Sequence, residues 1–426
     1  MADIHDLMAR RDRAMGQGAP SFYETPVELV RGEGIWLFDA SGRRYMDVYN
    51  NVPAVGHCHP RVVEALSRQA ALLNVHSRYL NELVVSYCER LMALHADPLT
   101  TLIMGCSGTE ALEVALQLAR TATGGRGVII SNATYHGNST EVRRTTFGPF
   151  EPEYRKIPFP EAFRPLREGA SEAERRELYL DELRAAIAAF AADGVPLAGM
   201  LFCSIFANEG LPDVPTGFLA EAAKLVREAG GLVILDEVQA GFGRVGRWWG
   251  YELVGCEPDI VTMGKPMGAG LPLSGVGTTL ELANTFHEKC FYFNTTAGTP
   301  LQAAVGHAVI DVIEDEGLVE NAAKVGGFLM SELGKLVARY EFVGDVRGHG
   351  LFLGIEWVKD GATRKPDRRG ASAFVERMKD KGFLMGAAGQ RGNVLKLRPP
   401  LVISQADAEQ LLEALDETAR ELHAEA

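Results

Sequence analysis

Through the middle of the chain, short apolar runs alternate with segments whose apolar residues recur every three or four positions. GVII (127–130), PLAGMLFC (196–203), GLVILDE (231–237) and DIVTM (259–263) are continuous apolar stretches of strand length. Unbroken hydrophobicity of this kind marks strands covered on both faces. ALEVALQLARTA (111–122) and FLAEAAKLVREAG (218–230) instead place apolar residues at i, i+3 and i+4, the spacing of a helix with one buried stripe. The pattern predicts an α/β domain with a mostly parallel sheet packed between helices.

The flanks read differently. VRGEGIWLFDASGRRYMDV (30–48) has hairpin character with ASG as its turn. ENAAKVGGFLMSELGKLVARY (320–340) is a long helical pattern, followed by strand-like FVGDVRG and LFLGIEWV and a closing helix from Gln405. The charged stretch 164–194 reads as an insertion forming a solvated helical pair. The expected organisation is an N-terminal part of a small domain (1–55), a large domain (56–318) and the C-terminal remainder of the small, α+β domain (319–426). There is no internal repeat and no low-complexity linker.

Composition narrows the partners. With 426 residues the chain can bury a large core, and its net charge of −13 argues against nucleic acid, which is bound by clustered Lys and Arg. The six cysteines are scattered without a CxxC pair, so neither a disulfide framework nor a zinc site is signalled. The opening segment has no apolar core of a signal peptide, and no apolar run reaches the roughly 18 residues of a membrane span. A soluble cytoplasmic protein is expected, without metal.

The chemistry centres on DIVTMGKPMGAGLPLSG (259–275), where Lys265 is the one charge after the leading aspartate. A lysine there could simply snorkel to the surface from a loop. Its company argues otherwise. Asp236 ends the strand GLVIL, Lys265 lies two residues beyond DIVTM, and in an open α/β sheet such strand ends face one crevice. Ser107, Gly108 and Thr109, in GCSGTEALEVALQLAR (105–120), open a helix whose backbone N–H groups can hold a phosphate. A lysine, a carboxylate and a phosphate loop together suggest a pyridoxal phosphate site: the lysine forms an imine and the aspartate keeps the pyridine nitrogen protonated. An apolar setting lowers the lysine's pKa and frees its amine to attack. HCHP (57–60) looks like a metal cluster but reads as structural, and Trp248, Trp249 and Tyr251 read as interface or core packing.

These segments resemble the class III pyridoxal-phosphate aminotransferases of fold type I. The resemblance is carried by ILDEVQAGFGRVG (234–246), DIVTMGKPMGAG (259–270), YMDVYNNVPAVGHCHP (45–60), CSGTEA (106–111), TYHGNS (134–139), TTAGTP (295–300) and DVRGHGLFLGIE (345–356), in order across nearly the whole chain. It implies that Lys265 anchors the cofactor and Asp236 meets the pyridine nitrogen. It further implies that Gln239 reaches the phenolic oxygen, while Val238 and Tyr135 pack on opposite faces of the ring and His136 follows. Ser107, Gly108 and Thr109 would hold the phosphate. Thr295, or else Thr296, would complete that phosphate site in the neighbouring subunit, so the active sites would be shared across a homodimer.

The reaction is less specified. Glutamate-using members pair a switchable arginine, three residues before Pro-Pro, with a glutamate in an EPxxGE-like stretch. Here CSIFANEG (203–210) places Cys203 and Asn208 at those glutamates, and Lys396 stands where the arginine would, with Arg398 two residues on. That gate is therefore absent. YNNVPAVGHCHP, 71–91, VTMGKPMG and NVLKLRPP resemble the ethanolamine-phosphate phospho-lyases, yet GAGLP (268–272) and TAGTP (296–300) depart from that subgroup's GNGHP and FGGNP. The expected activity is transfer of an amino group from an amine or ω-amino acid to a keto acid, with pyruvate the expected acceptor. The alternative is a lyase eliminating phosphate or ammonia from a phosphoethanolamine-like or aminophosphonate substrate. Arg78, Lys396 and Arg398 are candidates for gripping an anionic substrate. A cofactor-binding homologue without catalysis is disfavoured by the intact Lys265, Asp236 and Tyr135.

Overall fold

In the computed structural model, which describes residues 4–425, the four apolar runs are inner strands of a seven-stranded sheet. Its spatial order is Thr101–Gly105, Ser274–Thr278, Ile260–Met263, Leu232–Asp236, Leu197–Cys203, Gly127–Ser131 and Tyr154–Ile157. Ser274–Thr278 runs antiparallel to both neighbours, and the remaining pairs are parallel. Helices Gly108–Thr123 and Phe218–Glu228 occupy the predicted positions.

Three strands escaped the hydrophobic pattern. YRKI, at one edge, leaves Lys156 exposed and so carries only a partial apolar signal. TLIMG, at the other edge, is buried only over its last three residues. SGVGT is buried throughout yet nearly featureless, because large neighbours lie flat upon it. A Cβ at Gly275 would stand 2.6 Å from Leu102 Cδ1, and one at Gly277 would stand 2.8 Å from Val261 Cγ1.

The stretch 164–194 is not the expected solvated pair of helices. A Ser171–Glu174 capping box starts a single helix, Glu172–Ala192. It buries Tyr179, Leu180, Leu183, Ala186 and Phe190 and packs beside Tyr154–Ile157 and Gly127–Ser131. Charges on its outer turns masked that stripe in the sequence. The aromatic trio after GFGRVG faces inward: Trp249 is fully buried, stacks on His95 at 3.9 Å and donates Nε1–H to the Leu94 carbonyl at 2.7 Å.

Strands Trp36–Asp39 and Arg44–Asp47 form the expected hairpin, whose turn is fixed by Asp39 Oδ1 accepting from the Ser41 and Arg43 N–H groups. Phe383–Leu384 adds to it in parallel beside Met46 and Asp47, so both flanks of the chain feed one sheet. A second, antiparallel sheet orders Val343–His349, Phe352–Trp357, Val394–Leu397 and Gly386–Ala388. Buried Arg347 ties it to the loop that follows Leu197–Cys203, donating Nε–H to the Gly210 carbonyl at 3.0 Å, and donates Nη2–H to Glu356 of the same sheet at 2.5 Å. Glu356 also accepts from Arg164 (2.6 Å) and Asn393 (2.7 Å), so the buried charges are paired. No helix among the described residues is long and apolar enough to cross a membrane.

Candidate functional site

The strand ends place the chemistry. Asp236 is the last residue of Leu232–Asp236, and Lys265 begins a short turn, Lys265–Gly268, just beyond Ile260–Met263. Ser107 caps the helix that follows Thr101–Gly105, its Oγ accepting from the Glu110 N–H at 3.2 Å. Because the strands carrying these ends run the same way, the three groups converge on one side of the sheet.

Asp236 is held from two sides. Its Oδ1 accepts from the Val238 N–H at 2.9 Å, and its Oδ2 lies 2.7 Å from His136 Nδ1. His136 Nε2 is in turn 2.5 Å from Thr134 Oγ1. The neutral tautomer with the proton on Nδ1 satisfies every partner: it donates to the carboxylate and accepts the Thr134 hydroxyl. The imidazole thus keeps Asp236 an oriented acceptor.

Lys265 has a positive φ of 36° and no hydrogen-bond or ion-pair partner for its amine among the described residues. Its tip is open to the crevice, yet the walls are close enough that desolvation lowers its pKa below the ordinary lysine range; Asp236 opposes and Arg398 adds to the shift. An unpartnered amine whose pKa is lowered in this way is a nucleophile in waiting.

Around the helix start, small residues allow close packing. A Cβ on Gly108 would meet Val238 Cγ1 at 3.0 Å. Gly137, at φ +144°, lies where a Cβ would be 2.5 Å from Thr109 Oγ1, and Thr109 Oγ1 accepts from the Asn138 N–H at 3.3 Å. The loop carrying Tyr135 and His136 is therefore seated on the same helix N-terminus, whose first N–H groups have no partner within the helix.

Behind this cradle lies a chain of amides and cations. Asn208 Nδ2 donates to the Tyr135 carbonyl at 2.8 Å, and Gln239 Nε2 donates to Asn208 Oδ1 at 3.1 Å. Gln239 Oε1 accepts from Arg398 Nη1 at 2.6 Å and from Lys396 Nζ at 3.5 Å. Both cations are buried; burial depresses both pKa values, and Arg398 depresses that of Lys396 further. The Arg398 guanidinium also lies over the Tyr49 ring at 4.4 Å, a contact that helps offset its desolvation.

The structure thus assembles Lys265, Asp236, His136, Tyr135, Val238, Gln239, Lys396, Arg398 and the Ser107–Thr109 loop. Arg78, Thr295 and Thr296 lie on an exposed rim instead. Arg78 stacks on Phe293 at 3.9 Å and shares no partner with Lys396 or Arg398. Thr296 bonds Asn294 and stands 3.4 Å from Cys106 Sγ, beside the phosphate-type loop. His57 and His59 part company, one on Asp47 at 2.7 Å and the other on Glu316 at 3.0 Å. A cavity of about 460 Å³ lined by Leu211, Asp213 and His349 contains neither Lys265 nor Asp236, so convergent chemistry identifies the site.

Sequence reasoning passed over Glu209. It is 4 % exposed; Oε1 accepts the Ser131 hydroxyl and Oε2 has no partner. An acid inside the apolar stretch SIFANEGL was the available signal, obscured because the resemblance directs attention to Cys203 and Asn208. Asn208 was singled out only as a departure from the family's glutamate, and its role as the bridge between Tyr135 and Gln239 was not foreseen.

Comparison with known proteins accords with this geometry. The family model described as aminotransferase class-III matches residues 18–419. A Drosophila melanogaster protein named alanine–glyoxylate aminotransferase 2-like is 37% identical over 94% of this chain and 84% of its own. Among solved structures, a phospholyase from Arthrobacter in complex with phosphoethanolamine is 41% identical with a TM-score of 0.94, covering 97% of this chain and 99% of its own. An (S)-enantioselective omega-transaminase from Thermomicrobium roseum is 28% identical with a TM-score of 0.89, covering 99% of both chains.

Proposed function

Because the chain belongs to the class III aminotransferases, enzymes that depend on pyridoxal 5'-phosphate, we propose that it moves an amino group from an ω-amino acid or amine to a keto acid, with pyruvate as acceptor. The observation that carries this reading is the unpartnered Lys265 amine beside Asp236, with the buried Lys396–Arg398 pair across the crevice. The residues fit the cofactor: a free amine, an oriented carboxylate and a helix start stripped of Cβ atoms at Gly108 and Gly137.

When bound, the cofactor supplies an electron sink for a negative charge developing on the substrate carbon. Ser107, Gly108 and Thr109 would hold its phosphate, Asp236 its pyridine nitrogen, and Val238 and Tyr135 its two faces. His136 acts through Asp236, and Gln239 would turn its amide from Asn208 toward the phenolic oxygen. Lys265 would hold the cofactor through Nζ, and the same Nζ, once freed by the substrate's own amine, would take a proton from the substrate carbon and return it elsewhere; desolvation holds its pKa below the ordinary lysine range, which suits that work. Lys396 and Arg398 grip the substrate's anionic end.

The active form in this reading is a homodimer. Leu72, Leu73, Tyr79, Leu80 and Phe291 are left exposed, Leu80 at 99 %, on segments that also carry Arg78 and lead into Thr295 and Thr296. An exposed apolar surface of this kind suits a second copy, which would bring Thr295 or Thr296 to the phosphate. Leu80→Asp is expected to shift the protein to monomer in light scattering and to lower turnover at least about tenfold. All six cysteines are unpaired, in keeping with a reducing, cytoplasmic site of action. Gly137→Ala should push Thr109 aside and weaken cofactor retention on dialysis about tenfold, at little cost to the core.

Elimination of phosphate is the second reading, favoured by the similarity to the Arthrobacter phospholyase. The purified yellow protein, mixed with β-alanine or phosphoethanolamine without a keto acid, separates the two. Transamination bleaches the colour and stops after one turnover. Continuous release of phosphate and ammonia from phosphoethanolamine would overturn the transaminase reading.

A further inference from the structure

Glu110 stands in the first turn of the helix that opens at Ser107, and its carboxylate is engaged on both sides. Oε2 accepts from the Cys106 N–H at 2.7 Å. Oε1 accepts from Asn294 Nδ2 at 2.7 Å and from the Tyr292 hydroxyl at 2.8 Å. Asn294 Oδ1 in turn accepts from the N–H and the hydroxyl of Thr296, at 2.8 and 3.0 Å. One side chain therefore grips the turn before Ser107 and, 182 to 184 positions away in sequence, the rim segment that carries Thr295 and Thr296.

The strand end makes room for this contact: a Cβ on Gly105 would stand 3.1 Å from Glu110 Oε2. In a capping box the acid at this helix position accepts from the N–H of the cap residue itself. Here it accepts one residue earlier, from Cys106, and so does not consume the Ser107 N–H, while the Glu110 N–H holds the Ser107 hydroxyl at 3.2 Å. All three groups facing the carboxylate are donors. Burial, and after it the hydrogen bond to Glu110, raise the Tyr292 pKa and keep that hydroxyl protonated. Capping a helix needs none of the rim contacts, so local helix stability does not account for them.

We propose that Glu110 is a positioning residue for the cofactor's phosphate: its carboxylate holds, in one arrangement, the loop that receives the phosphate and the rim segment that completes the neighbouring subunit's site. The inference rests on the reading above, in which Ser107–Thr109 and Thr295 or Thr296 of a second copy meet that phosphate. Glu110 acts through Cys106, Ser107 and Asn294. An unclamped loop that spends about a tenth of its time in the receiving arrangement weakens binding about tenfold.

The test compares two aldehydes on the full-length protein stripped of cofactor: pyridoxal 5'-phosphate, and pyridoxal, which lacks the phosphate. Each is titrated while the visible absorption band is followed, which gives two dissociation constants. Wild type is expected to hold the phosphate ester more tightly. Glu110→Gln keeps the shape of the side chain, but its amide must turn an N–H toward either Cys106 or Asn294, donor against donor, and one side of the clamp opens. It should raise the Kd of the ester about tenfold and leave that of pyridoxal unchanged. Asn294→Asp keeps the acceptor for Thr296 and sets a second carboxylate against Glu110, with the same selective loss expected. In the double variant, Glu110→Gln with Asn294→Asp, the amide at 110 accepts from Cys106 and donates to the carboxylate at 294. The Tyr292 hydroxyl then turns to the Met104 carbonyl, 3.0 Å away. Affinity for the ester should return to within about threefold of wild type.

General damage to the fold would weaken both aldehydes alike, so equal losses in the single variants overturn the proposal. A double variant no tighter than its weaker parent overturns it as well. Should Glu110→Gln not fold, Asn294→Asp alone must show the selective loss. A wild type that binds both aldehydes equally would refute the phosphate reading and the proposal with it. A wild type that prefers the ester, beside variants that keep the full preference, overturns the role of Glu110 alone.

Discussion

Lys265→Ala should yield a folded protein that no longer turns over. The expected loss is roughly 10,000-fold or more, because one substitution removes both the covalent anchor and the group that moves the proton. Stability should hardly change. The amine has no hydrogen bond to lose, and alanine keeps the Cβ, so the positive φ at this position is no worse than before. An unchanged melting temperature beside lost activity would therefore locate the defect in chemistry. Lys265→Arg should not rescue, since a guanidinium stays protonated and is no nucleophile. Borohydride reduction followed by peptide mass spectrometry checks the same claim in the wild type: the cofactor must be found on Lys265. Attachment to Lys396, the buried lysine of the crevice, or more than about 1% residual turnover in Lys265→Ala, would refute the assignment.

The parts of this site that were legible in the sequence share one property: their meaning lies in the local context. Lys265 stands out because its neighbours are apolar, Asp236 because it terminates a buried run, and Ser107 because it precedes a helical pattern with glycine after it. The inner strands were readable for the same reason. What stayed hidden depends on partners far along the chain. Arg398 meets Gln239 from 159 positions away and Glu209 meets Ser131 from 78, and no spacing rule carries that information. The helix Glu172–Ala192 was half visible: its apolar stripe is in the sequence, but the charges around it pointed to solvent. SGVGT was invisible because its contribution is the absence of side chains. Arg78 is grouped with Lys396 and Arg398 in the sequence by charge alone, while the chain places it over Phe293 on the rim.

The second large effect is expected at Asp236. Asp236→Asn should lower kcat/KM by about 100- to 1,000-fold, the range seen when a preorganised electrostatic group is removed from a reacting centre. The geometry makes this a measurement of charge. Asparagine matches aspartate in size, and its oxygen can still accept from the Val238 N–H. Its amide would then face His136, where Nδ1 now donates; the ring answers by moving its proton to Nε2, leaving Nδ1 to accept and Nε2–H to donate to Thr134 Oγ1. Every hydrogen bond survives the change, so the melting temperature should move little, while the negative charge facing the crevice is gone. His136→Gln should fall between wild type and Asp236→Asn, because it removes the orienting partner and keeps the charge. The measurements are kcat/KM with β-alanine and pyruvate, the melting temperature, and the position of the visible band. If Asp236→Asn retained more than a tenth of wild-type kcat/KM with an unshifted band, the carboxylate would be a structural group and the electron sink would need another partner.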